Sequence, residues 1–66
     1  MAEKVFQKVR LVGCSTECVE KAVEAAVKQA GESGPAYWFE VVELRGAVAK
    51  GKVSEWQAVV DVAFKP

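Results

Sequence analysis

The chain has 66 residues, 52% of them hydrophobic, and nine basic against nine acidic side chains cancel to zero net charge. That length makes one domain, residues 1–66, and so small a domain draws added stability from disulfides, a metal or self-association. Interspersed, balanced charge leaves no electrostatic footprint for nucleic acid; two cysteines without histidine cannot form a zinc site unless carboxylates complete it; and no segment has the length of a membrane span or the apolar stretch of a signal peptide. The expectation is a soluble, cytoplasmic protein, with no nucleic-acid or membrane partner, that hides its surplus apolar surface by binding copies of itself.

Val5 to Val12 read as the first strand, with Val5, Val9 and Leu11 on one face and Phe6, Lys8 and Arg10 on the other. Gly13 is expected to break it. Ser15, Thr16 and Glu17 then offer a helix start at Ser15 or Thr16, with a side-chain oxygen for an orphan amide and a carboxylate in the first turn. Val19, Ala22, Val23, Ala26, Val27 and Ala30 follow the three-and-four spacing of one buried stripe, and Glu17, Glu20, Lys21, Glu24 and Lys28 form the wet side up to Gly31.

Residues Glu32 to Ala36 form a loop, and Tyr37 to Arg45 the second strand. Its alternation is weak: Tyr37, Phe39 and Val41 share one face, and Trp38, Glu40, Val42 and Leu44 the other. Gly46 to Lys52 reads as a hairpin connection with an irregular or partly extended loop. In the last strand, Val53 to Phe64, the even positions Trp56, Ala58, Val60, Val62 and Phe64 are apolar, while Glu55, Gln57 and Asp61 interrupt the odd ones. The even face is therefore expected to be the buried one. One helix covers one face of the sheet, and the face with Glu40 is read as the open one. Trp38 and Gln57 then leave the same uncovered face, where a large aromatic calls for a ligand or another subunit; an ordinary core or interface tryptophan is the plainer reading. The fold class is α+β, a single β-α-β-β subunit with a three-stranded antiparallel sheet.

Four segments carry a resemblance: Val5-Phe6-Gln7-Lys8-Val9, Gly13-Cys14-Ser15-Thr16-Glu17, Trp38-Phe39-Glu40-Val41 and Trp56-Gln57-Ala58-Val59-Val60. In this order and spacing the chain, from about Lys4 to Phe64, resembles the dodecin family of small flavin-binding proteins. The resemblance implies a sheet partly wrapped around the helix, and twelve copies assembled into a hollow shell, a homododecamer. It implies flavin (FMN, riboflavin or FAD) bound in pairs at two-fold subunit contacts and stacked between tryptophans at the position of Trp38. Gln57 matches the glutamine that hydrogen-bonds the polar edge of the ring, and Arg45 matches a residue near the flavin. Some bacterial relatives also bind coenzyme A, for which Lys8 or Lys28 could serve a phosphate.

Chemistry on the residues agrees with such a site, since an indole supplies stacking and dispersion while an amide both donates and accepts. An electron-rich indole against an excited flavin would quench its fluorescence, which favours storage and photoprotection over catalysis. The protein is read as no enzyme. The alternatives are a ligand-free oligomeric scaffold, or a thiol redox protein using Cys14 and Cys18. These cysteines stand where the family more often has threonine, serine or another small residue; they are not spaced as CxxC and have no histidine as base. Packing or capping is their plainer role. Glu40, Glu43 and Glu55 could pair as carboxylates but read as solvated edge charges; Arg45 reads equally as a surface ion-pair partner; and the glycines have no phosphate-loop spacing.

Overall fold

Strand β1 (Gln7–Ser15), helix α1 (Val19–Ala30), strand β2 (Ala36–Ala49) and strand β3 (Lys52–Phe64) follow one another in a computed structural model that describes residues 3–65. The sheet order is β1-β3-β2, and both pairings are antiparallel. β3 is thus the central strand, which explains why its second half is buried on both faces. On the helix side Ala58, Val60 and Val62 pack against Ala22, Ala26 and Ala30, with Val9, Leu11, Val23, Val27 and Trp56 around them. Val60 and Val62 are fully buried, and each contributes on the order of 2 kcal/mol of apolar transfer. The odd positions Val59, Asp61 and Ala63 are buried as well, because side chains of both neighbouring strands lean over them. The expectation of a single buried face holds only for an edge strand.

The alanine stripe lets α1 sit so close to β1 that a side chain at Gly13 would place its Cβ on the Ala22 carbonyl oxygen. Gly13 therefore lies inside β1 and does not break it: the strand runs to Ser15 and opposes Gly13 with Ala58. The helix starts later than Ser15 or Thr16. Ser15 Oγ accepts from the Glu17 amide at 3.0 Å and from the Cys18 amide at 3.5 Å, so it organises a turn ahead of the helix. Cys18, extended at φ −164°, is the N-cap residue. At the other end the chain passes through a 3-10 turn, Gly31–Ser33, where a plain loop was expected. Gly34 then takes φ 152°, a conformation that favours glycine.

β2 continues past Arg45 to Ala49, so the connection is the extended of the two forms expected, and it turns tightly through Lys50 and Gly51, both at positive φ. It also carries bulges. Tyr37 and Val42 are extra residues in β2, and Ser54 is extra in β3. The bulge at Val42 reverses parity, which is why the alternation of this segment is weak in sequence. Phe39, Val41 and Leu44 oppose Val62, Val60 and Ala58 on the helix side, whereas Trp38, Glu40, Glu43 and Arg45 oppose Ala63, Asp61, Val59 and Gln57 on the open side. Leu44 consequently lies on the face opposite to the one simple alternation assigns it.

The helix rests on β1 and β3 and scarcely reaches β2. Phe39, Val41 and Leu44 are left about half exposed although they point to the helix side. With extents of 55 × 19 × 13 Å, one chain is a long ribbon that does not close over its own apolar surface.

Candidate functional site

The open face of the sheet has two chemically different ends with a charged cluster between them. At the first end Trp38 opposes Ala63, whose methyl group leaves the indole no large neighbour on the central strand. Phe6 stands edge-on to Trp38, with ring centroids 6.5 Å apart, and 5.4 Å from the ring of Tyr37. Lys8 Nζ lies 6.0 Å from the Trp38 ring centre. These neighbours steady the indole from one side. Trp38 nevertheless remains 46% exposed, in a chain where burial is scarce.

The second end is a line of polar side chains around Gln57. Arg45, its cross-strand neighbour on β2, donates from Nε to Gln57 Oε1 at 3.2 Å, and Gln57 Nε2 donates to Glu55 Oε1 at 2.8 Å. Arg45 also lies 4.0 Å from Glu43. On the other flank Cys14 of β1 opposes Gln57 and is an exposed free thiol. The bulge at Val42 brings Arg45 onto this face; without it, the guanidinium would point to the helix side. Cys18 is likewise a free thiol, at the start of the helix.

Between the ends, Asp61 is 4% exposed and receives both Arg10 Nε at 2.7 Å and an Arg10 terminal nitrogen at 3.1 Å. Lys8 Nζ bridges Asp61 at 3.2 Å and Glu40 at 3.6 Å. The hydrogen bonds from Arg10 hold the Asp61 carboxyl down to about 2, burial opposes them, and Lys8 reinforces them. The same carboxylate raises the pKa of Arg10. This fully partnered cluster keeps β1 and β2 in register across β3. Lys8, one of the lysines considered for a phosphate, is engaged here, whereas Lys28 lies on the last turn of the helix.

Trp38 and Gln57 leave the same face, as strand parity predicts, but they are not neighbours. Ala63, which opposes Trp38, is six residues along β3 from Gln57, about 20 Å of extended chain. Glu55 and Cys14 were not singled out as binding residues in the sequence; the period-two relation of Glu55 to Gln57 was its signal, whereas Cys14 becomes a neighbour only through the β1-β3 register.

An apolar groove lies elsewhere, on the helix side. It has a volume of about 490 Å³ and is walled by Val19, Val23, Val27 and Phe39, with Glu20, Glu24 and Lys28 at its border. An aliphatic trough of this kind suits another protein surface better than a ring with a hydrogen-bonding edge. Among the described residues no three His, Cys, Asp or Glu side chains gather as metal ligands, and no helix is long and apolar enough to cross a membrane.

Comparison with known proteins agrees with this architecture. The family model for dodecin matches residues 5–66. The dodecin of Thermus thermophilus is 43% identical over 63 residues, covering 94% of this chain and 91% of that protein. The crystal structure of the tt0972 protein from Thermus thermophilus superposes with a TM-score of 0.89 at 42% identity, over 97% of this chain and 96% of that one. The dodecin from Streptomyces coelicolor superposes with a TM-score of 0.89 at 31% identity, over 100% of this chain and 96% of that one. With a family match across nearly its whole length, and the β-α-β-β fold of these solved relatives, the chain belongs to the dodecin family.

Proposed function

We propose that the protein is a non-enzymatic flavin-binding homo-oligomer that stores riboflavin, FMN or FAD and quenches its excited state. The observation that carries this reading is the half-exposed Trp38 on the same sheet face as a polar-clamped Gln57, the two separated by about 20 Å of strand. Such a pair makes half of two sites. A second copy supplies the other half, so ligand binding and association are one event, and a two-fold contact sets two indoles face to face with room for stacked rings between them.

In this reading Trp38 supplies the stacking surface, Gln57 reads the donor and acceptor edge of the ring, and Arg45 holds Gln57 and adds positive charge beside it. The exposed apolar residues Phe39, Val41 and Leu44, with the groove beside the helix, give the subunit the surface for a closed shell of twelve copies. Release is by mass action.

The test is a titration of riboflavin fluorescence with flavin-free protein. Saturable and nearly complete quenching at one flavin per subunit supports the reading. Unchanged fluorescence, from protein shown to be folded and assembled, overturns it and leaves a ligand-free scaffold in which Trp38 packs between subunits.

A further inference from the structure

The carboxamide of Gln57 is held between two groups of opposite hydrogen-bonding character. Arg45 can only donate, and it meets Oε1 at 3.2 Å; the Glu55 carboxylate can only accept, and it meets Nε2 at 2.8 Å. An unclamped glutamine amide has two flip states of similar energy. Here the flipped state would set Nε2 against the guanidinium and Oε1 against the carboxylate, two repulsive contacts in place of two charge-assisted bonds. Glu43, 4.0 Å from Arg45, adds a second acidic group on the arginine's side. The amide is therefore fixed before any ligand arrives, with one lone pair of Oε1 and one N–H of Nε2 left over.

We infer that Glu55 is a positioning residue that sets the specificity of the site: by locking Gln57 in one orientation it selects a ligand edge with an N–H donor beside a carbonyl acceptor. This rests on the flavin reading and deepens it, because the pyrimidine part of an isoalloxazine presents such an imide edge. The vacant lone pair of Oε1 takes the imide N–H, and the vacant N–H of Nε2 takes an adjacent carbonyl. A ligand with that nitrogen alkylated meets the locked oxygen with a methyl group and leaves it unpaired, and the amide cannot turn away without breaking the bond to Glu55. Glu55 need not touch the ligand to do this. Its effect is on the orientation of Gln57, and so on discrimination more than on stacking.

The experiment compares riboflavin with 3-methylriboflavin, in which the imide N–H is replaced by N–CH3, by fluorescence-quenching titration of the wild-type protein, Glu55→Gln and Glu55→Ala. In the wild type riboflavin is preferred by roughly 10-fold or more, the scale of one unpaired polar group in a built site. In Glu55→Gln the new side chain both donates and accepts, so the Glu55 half of the lock is lost at constant size and Arg45 alone still favours the wild-type orientation. Riboflavin then binds about 3- to 10-fold more weakly, 3-methylriboflavin binds nearly as before, and the preference narrows; Glu55→Ala behaves alike. Quenching at saturation stays complete in both, because Trp38 is untouched. A variant that weakens both ligands equally, or retains the wild-type preference, overturns the positioning role. If the wild type itself leaves riboflavin fluorescence unchanged, the flavin reading fails first and the role of Glu55 falls with it, an outcome distinct from a binding protein whose preference ignores Glu55.

Discussion

Arg45 lies directly across the β2-β3 ladder from Gln57 and donates to its carboxamide oxygen at 3.2 Å. The contact exists because one extra residue, Val42, turns the second half of β2 over, so that an odd-numbered arginine joins an even-numbered tryptophan on the open face. A single bulge thus assembles the polar end of the site and leaves its aromatic end where it was.

The two ends separate experimentally. Trp38→Ala removes the stacking surface and is expected to weaken flavin binding by about 1–3 kcal/mol, on the order of 5- to 150-fold in Kd, with quenching largely lost. Gln57→Ala removes both hydrogen bonds to the ring edge, costs about 1–3 kcal/mol, and leaves the bound flavin dark. Fluorescence titration reads affinity and final quenching together. Unchanged affinity in both variants places the site elsewhere.

Gly13 lies where the helix backbone comes against β1. A methyl group there would lie on the Ala22 carbonyl oxygen and 3.1 Å from the Ala26 Cβ, and the helix backbone at Ala22 cannot simply move aside. Gly13→Ala is expected to destabilise the subunit by about 1–3 kcal/mol and lower the thermal midpoint by more than about 5 °C. A midpoint within 1 °C of wild type in a calorimetric scan would contradict the seating of α1 against β1 described above.

Asp61 makes stability depend on pH in the acid range. Its carboxyl is held at about 2 in the folded chain against an ordinary value of 3.8, so the folded state favours the ionised form. That stabilisation is fully present above the ordinary value and fades as the pH falls from about 4 towards 2. Asp61→Asn is expected to be less stable than wild type at pH 7 and to lose less of its stability between pH 4 and 2. Parallel thermal-midpoint curves over that range would show that the Arg10–Asp61 pair has no such effect.

Association is expected to depend on the apolar surface that α1 leaves uncovered. Phe39 is about half exposed and forms one wall of the groove beside the helix. Phe39→Asp puts a charge there, and light scattering should find the mass reduced from about twelve times the 7.1 kDa of one chain to small species. Full-size assemblies from the variant would put the contact on another surface.

Amphipathic periodicity was enough to place the helix stripe Val19 to Ala30, the two faces of β1 and the helix-side core of β3, because each reflects only which side of a local element meets water. The same parity placed Trp38 and Gln57 on one face. Three matters needed the folded chain. Gly13 looks like a strand breaker until the helix backbone is seen against it. Val42 is an ordinary strand valine until its chain neighbours Val41 and Glu43 are found opposite Val60 and Val59, two adjacent residues. Asp61 looks like a solvated interruption until β3 proves to be the central strand, with Arg10 and Glu40 in register on either side. Local pattern records the side of a strand but not the order or register of its neighbours. Those are settled by non-local pairing, and with them the clamp around Gln57 and its distance along β3 from the partner of Trp38.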